Sequence, residues 1–362
     1  MRTLFLFLFA ALLASLGAAS AGEWPLWDGH ETVEAYAKKV NLPPTKSLDL
    51  GNGVSLDLVL IPAGQFVMGS VKPAEPSVTF ENSAMMAVIG GILMLAFSSV
   101  LVVRKLQKKK IAFSLRYLML MTSFTGVFVG GIARFRLAIS ENEHYRNAMA
   151  IYNGLPDNEK PGPAVTHTQP FYMGKYTVTQ AQYEALTGYN PSEFKGTQLP
   201  IDHVSWYDAT EFCKKLSGTL RAQALTACLP TEPQWEYACR AGTQTLYYSG
   251  NQESDLDAVA WYVNNSVGKT HPVGEKKANA FGLYDMHGNV WQWCQDVYME
   301  HCEPLKEINP VNEWGTQRVL RGGSWLNDPY DCRSAHRYRD NPEMRLNYLG
   351  FRIVLSVSTS TP

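Results

Sequence analysis

Apolar positions along this chain follow two regimes. Three stretches are apolar almost without interruption: Leu4–Leu16, Asn82–Val103 and Tyr117–Ala133. Everywhere else, apolar and polar residues alternate at the spacing of short helices and strands. Thr32–Val40 has helical spacing, and Pro43-Pro44 ends it. LDLGNGVSLDLVLIPAGQFVMGS alternates as strands do and turns at Asn52-Gly53, which predicts a β-hairpin. Further on, helical spacing returns at Thr179–Leu186, at Trp206–Leu216 with Ser205 or Asp208 near its start, and at Glu232–Ala241 after Thr231 as N-cap.

The long apolar runs carry topology signals. Arg2, the Leu4–Leu16 run and Ala19-Ser20-Ala21 form an export signal with cleavage expected after Ala21 (residues 1–21); an uncleaved anchor is the alternative. No cysteine follows the run, so nothing points to a lipoprotein. The spans at 82–103 and 117–134 are long enough to cross about 30 Å of hydrocarbon. Between them, loop 104–116 holds Arg104, Lys105, Lys108, Lys109, Lys110 and Arg116 with no acid. Such a loop stays in the cytoplasm, so residues 22–80 and everything after a linker at 135–165 face the outside. The expected location is a bacterial-type inner membrane with the main domain, 166–358, on the periplasmic side. Gly126 and Gly130 let helix backbones approach closely, either within the hairpin or against another integral membrane subunit.

Composition narrows the choice of partner. A net charge of -1 over 362 residues gives no footprint for nucleic acid. With 28 Gly and 20 Pro, the exported part reads as a loop-rich globular domain. The eight histidines show no HExxH or paired metal spacing, and there is no nucleophile elbow, Walker loop or dinucleotide loop.

Seven blocks occur in order: LIPAGQFVMGS, PFYMGKYTVTQAQYEALTG, LPIDHVSWYDATEFCKKLS, LPTEPQWEYACRAGT, NAFGLYDMHGNVWQWCQDVY, RVLRGGSW and NYLGFRIV. Together they resemble the sulfatase-modifying-factor family, whose founding activity is formylglycine generation. The resemblance implies an α/β (α+β) domain related to C-type lectins, with little regular secondary structure. Here the two-helix membrane hairpin interrupts that domain where the family has a surface loop.

The resemblance also implies sites. Formylglycine-generating enzymes carry two tail cysteines that bind copper and oxidise a substrate cysteine. In this sequence the second falls on Cys332, but the first falls on Asn327 and the neighbouring histidine on Asp328. Ser324 and Arg333 match the family's active-site serine and arginine. One thiol does not make a soft copper site, so copper is not expected. The GNVWEW-type loop implies calcium held by Asp285 and Gln292 side chains with the carbonyls of Gly288 and Val290. Six cysteines in an exported domain suggest disulfides, with buried free thiols as the alternative. The pairs favoured beside the family's packing are Cys239–Cys332, Cys294–Cys302 and Cys213–Cys228. Asp202, His203 and Glu232 are secondary acid–base candidates.

The expectation is a membrane-held, exported domain that binds or scaffolds rather than oxidises. Its partners would be the lipid bilayer, integral membrane subunits reached through the hairpin, and a protein or glycan ligand. The alternative is a formylglycine-generating or related metal- or oxygen-dependent oxidoreductase acting on a protein or peptide. Its cleft would lie near Ser324, Asn327, Cys332, Arg333 and Arg337.

Overall fold

The computed structural model describes residues 24–73, 75, 91, 133, 145–146, 149–162, 164–300, 308–313 and 315–357. Local chemistry sets most element starts. Helix α1 (Val33–Lys39) begins after Thr32, whose hydroxyl accepts the Ala35 N–H at 3.2 Å. Glu34 in its first turn and Lys38 and Lys39 in its last complement the helix dipole. The expected hairpin is present as antiparallel β1 (Thr45–Asp49) and β2 (Ser55–Ile61), and Asn52 and Gly53 both take positive φ in its loop. Helices α2 (Gln180–Thr187), α3 (Trp206–Thr219) and α4 (Glu232–Arg240) each open with a capping box, from Thr179, Ser205 and Thr231 respectively. In each box the cap hydroxyl and the side chain three residues on satisfy two otherwise orphaned N–H groups.

The sheets join distant parts of the chain. The five-stranded sheet runs β1, β2, β5 (Phe171–Gly174), β13 (Val354–Ser356), β6 (Ala227–Cys228), antiparallel throughout. A four-stranded sheet places β9 (Trp291–Val297) between β10 (Arg318–Arg321) and β12 (Leu349–Gly350), with β11 (Tyr338–Asp340) outside β10. Two small pairs complete the set: β3 (Gly64–Val67) with β4 (Ala164–His167), and β7 (Ala260–Trp261) with β8 (His287–Gly288). Short helix α5 (Glu253–Asp257) precedes β7. The architecture is mixed α/β, as expected. The main core contains Tyr36, Tyr183, Phe212, Trp235, Trp293 and Phe351; a second, smaller cluster contains Tyr247, Leu256, Val259, Tyr262 and Cys332.

Residues 1–71 and 156–362 form one compact unit, and 72–155 form another. In the second, Gly91, Ala133 and residues 149–153 are helical, and the Gly154 N–H closes the last turn on the Ala150 and Ile151 carbonyls. No helix among the described residues is long and apolar enough to cross a membrane. The export signal and the loop at 104–116 lie outside the described residues, and so do both spans apart from Gly91 and Ala133. The stretch read as a linker to residue 165 is partly built into the first unit, which resumes at Pro156 and contains β4 and the short 3-10 turn Asp157–Glu159.

The expected disulfides are not formed. Cys213, Cys228, Cys239, Cys294 and Cys332 are all free thiols, and Cys302 lies outside the described residues. Cys239 packs in the main core, with its sulfur 3.8 Å from Ser334 Oγ and 3.9 Å from His287 Nε2. Cys332 packs in the second cluster, so the Cys239–Cys332 pair is separated by the way the two cores form. Cys294 directs its thiol at the Gln292 carbonyl, 3.9 Å away. Cys213 on α3 and Cys228 on β6 stand on facing elements without a bond.

Candidate functional site

Strand β10 leads into two glycines that the local geometry demands. Gly322 and Gly323 have φ of 99° and 75°. A Cβ on Gly323 would stand 2.6 Å from the Cys332 sulfur, and one on Gly322 would stand 3.1 Å from the Met286 carbonyl oxygen. The chain therefore doubles back tightly, and the residues after it converge. The Ser324 hydroxyl donates to Asn327 Oδ1, and Trp291 Nε1 donates to the same oxygen at 2.9 Å. Asn327 Nδ2 in turn donates to Asp331 Oδ2 at 2.8 Å. Both lone pairs of the amide oxygen are thus taken.

The polar row continues into a histidine. His336 Nε2 lies 3.5 Å from Asp331 Oδ1, and His336 Nδ1 lies 2.9 Å from Glu159 Oε1. Glu159, on the 3-10 turn Asp157–Glu159, is buried and gripped by both terminal nitrogens of Arg333. Burial pushes the Glu159 carboxyl upward. The hydrogen bond from His336 and the charge of Arg333 outweigh it and hold the group below its ordinary value. Aromatic rings frame the row. His336 is 5.7 Å from Tyr330 and 5.8 Å from Trp291, and Trp291 is 5.3 Å from Tyr338. Tyr330 and Tyr338 are 46% and 45% exposed, so the row opens to solvent between tyrosines.

Ser324, Asn327, Cys332 and Arg333 therefore lie on one stretch of chain, and Cys332 is inside the fold. It is fully buried, and burial pushes its thiol far above the ordinary value. Copper does not fit these residues: the one thiol is held protonated, and Asn327 offers an amide oxygen already bonded twice. Arg337 points elsewhere. Its guanidinium grips Glu232 through two 2.7 Å bonds. That pair continues through Arg321 and Glu236 to Arg240, a buried chain of alternating charges that braces α4 against β10. Glu232 is committed to this brace rather than to acid–base work. Asp202 is fully buried beside His203, 3.0 Å from its Nδ1, and burial raises its carboxyl.

The two side chains expected to hold calcium are bonded within the protein. Gln292 Oε1 accepts from Arg352 Nε at 2.6 Å and from Trp235 Nε1 at 2.7 Å. The same guanidinium donates to the carbonyls of Gly174, Tyr284 and Asp285. The Asp285 carboxylate turns to the Gly274 N–H at 2.8 Å, and burial raises it to about 6. An arginine thus occupies the Gln292 side-chain oxygen, and a second cation beside it would meet repulsion. As they stand, the Asp285 and Gln292 side chains are turned to partners within the protein, and this arrangement of the two does not fit a calcium ion.

The sequence reading missed Glu159, Asp331, His336, Trp291, Tyr330 and Tyr338. Only the arginine-rich RSAHRYR, which contains His336, hinted at the cluster. Glu159 sits in a polar stretch with no periodicity to mark it.

Residues 140–357 match the model of the sulfatase-modifying factor enzyme 1-like domain. The chain is 32% identical over 203 residues to the Paenibacillus barcinonensis chaperone protein LppX, covering 43% of this chain and 69% of that protein. It is 38% identical over 183 residues to the Mycobacterium tuberculosis formylglycine-generating enzyme, covering 43% of this chain and 56% of the enzyme. The structure of Treponema denticola variable protein 1 superposes with a TM-score of 0.57 at 23% identity, over 86% of this chain and 99% of that one, a likeness of fold.

Proposed function

The chain belongs to the sulfatase-modifying-factor family, and on that premise we propose that it is an exported, membrane-held recognition domain rather than a copper-dependent cysteine oxidase. The observation that carries this reading is Cys332: a fully buried thiol, pushed up by its surroundings, with an asparagine where a second thiol is needed. The tyrosine-framed mouth over His336 is where a protein or glycan ligand would sit. Large, half-exposed aromatic rings supply contact area at low entropic cost, and the polar row beneath gives orientation. The export signal and the hairpin at 82–103 and 117–134 would hold this mouth at the outer face of the membrane. There the hairpin would also meet integral membrane subunits.

Two measurements test this. A peptide with a sulfatase-type cysteine motif, incubated with the full chain, copper and oxygen, should keep its thiol. Abundant aldehyde by mass spectrometry would overturn the reading. A photoreactive phenylalanine analogue at Tyr338 should give one discrete adduct in intact membranes, and no adduct would count against recognition at this mouth.

One observation favours a second reading. His336 stands between Glu159 and Asp331 beside the half-exposed Tyr330 ring, an arrangement suited to moving a proton on a bound ligand. A His336→Gln variant that binds ligand normally but accumulates it unchanged would favour chemistry over recognition.

A further inference from the structure

A cavity of about 220 Å³ opens at the Arg240 end of the buried charge chain and shares no residue with the Ser324–His336 row. Its walls come from Trp27–Gly29, from β3 at Gln65–Val67, and from the end of α4 with the turn after it. Two of these walls carry buried donors that the protein leaves unused. Tyr237 is 2% exposed, and its hydroxyl has no hydrogen-bond partner among the described residues. The hydroxyl lies against Gly64, where any Cβ would clash with it, one residue before the stretch of β3 that walls the cavity. Arg240 is 4% exposed. Its Nε donates to Glu236 Oε1 at 2.8 Å, its Nη1 to the Thr245 carbonyl at 3.2 Å and its Nη2 to the Gly69 carbonyl at 3.0 Å. Each terminal nitrogen carries a second N–H, for which the described residues supply no acceptor. Buried donors without acceptors cost stability unless something answers them.

The other walls are aromatic and already held in place. Trp27 Nε1 donates to the Glu31 carbonyl at 2.8 Å, and its ring stands 5.0 Å from Phe281, edge to face. Phe66 stands 5.4 Å from Tyr237. Asp28 is the exposed acid of the wall. Its Oδ1 accepts the N–H groups of Glu31 and His30 at 2.8 Å each, and these bonds hold the carboxyl below its ordinary value, so it stays charged. We propose that this cavity binds a small organic monocarboxylate with an apolar body, of the arylcarboxylate class. The ligand's carboxylate accepts from the Tyr237 hydroxyl and the unused Arg240 N–H groups, bonds strengthened by charge on both partners at the guanidinium. Its ring packs between Trp27 and Phe66, whose positions need no further ordering. A cationic ligand would meet Arg240 instead of an acceptor, and Asp28 repels a second negative charge. The volume falls below the roughly 300–1,000 Å³ of drug-sized sites, which suits one ring and one carboxylate.

Benzoate is the probe, titrated into the full chain and followed by saturation-transfer NMR and by the melting temperature. Binding should saturate and the melt should rise. Benzamide and benzylamine keep the ring without the negative charge, and each should bind at least about tenfold more weakly. Phthalate, with its second carboxylate, should also bind more weakly than benzoate. Tyr237→Phe should weaken benzoate about five- to tenfold. Its melt without ligand should stay level or rise, because an unanswered buried hydroxyl has been removed. Val67 is 36% exposed on the β3 wall, and Val67→Trp should fill the cavity and abolish binding in a protein that still melts cooperatively. Four outcomes overturn the proposal. They are no saturable binding up to about 10 mM benzoate, equal affinity for benzamide and benzoate, equal affinity of parent and Tyr237→Phe, or undiminished binding to folded Val67→Trp.

Discussion

His167 shows what one buried side chain can impose. It is 2% exposed, packed among Phe66, Phe171 and Tyr237, and burial lowers its imidazole to about 4. The unfolded chain therefore binds a proton that the folded one refuses as pH falls below about 6.5. The stability His167 contributes is full above that value and is lost progressively toward pH 4. His287, lowered to about 3, acts in the same direction, while Asp285 and Asp296, raised to about 6 and 7, act against it. A difference measurement isolates the term. His167→Phe should recover about 2 kcal/mol of stability at pH 5 relative to pH 7.5, compared with the parent protein. Parallel pH profiles for parent and variant in chemical denaturation would refute it. Arg352 makes a second prediction at this scale. Arg352→Leu removes the one donor shared by the carbonyls of Gly174, Tyr284 and Asp285 and the Gln292 amide oxygen, and should cost about 3–5 kcal/mol. Chelation with EGTA should leave the parent melt unmoved, and a clear drop would restore calcium to this loop.

At the scale of elements, short helices depend on their first residues. Helix α4 carries Trp235 and Cys239 into the core and offers Glu232, Glu236 and Arg240 to the buried charge chain. Its start is Thr231, which accepts the Gln234 N–H at 3.2 Å while Gln234 bonds back to the Thr231 N–H at 3.0 Å. Thr231→Ala should cost about 1 kcal/mol, and Thr231→Ser should recover most of it. Equal stability of the alanine and serine variants would mean that packing alone sets this helix start. The helices at Thr179, Ser205 and Thr231 were legible in the sequence because cap, box and apolar spacing are all local signals. The two-residue strands β6, β7, β8 and β12 were not. They exist only because a neighbouring strand supplies the ladder partners.

For the whole molecule, the five-stranded sheet sets a constraint on topology. β2 lies before the 72–155 unit and pairs with β5, which lies after it. Both segments must therefore reach the same side of any membrane. If the apolar runs at 82–103 and 117–134 span the bilayer, the basic loop 104–116 faces the cytoplasm. Gln107→Cys should then resist an impermeant thiol reagent in sealed spheroplasts. Lys214→Cys, whose native side chain is 81% exposed on α3, should label. Labelling at 107 with protection at 214 would invert the arrangement.

The sequence by itself determined the family blocks, the capped helices, the first hairpin and the glycine pair after Arg321. Each is written in neighbouring residues through spacing, caps or turn chemistry. It also marked Ser324, Asn327, Cys332 and Arg333 as a local group, because one tight turn holds them. Tertiary structure alone decided what that group does. Glu159 reaches Arg333 and His336 across 174 and 177 positions. Arg352 reaches Gln292 across 60. Cys332 was placed in a different packing cluster from Cys239. No periodicity records such meetings: a buried charge finds its partner wherever the fold brings one, and the cost of leaving it unpaired enforces the match only once the core has closed.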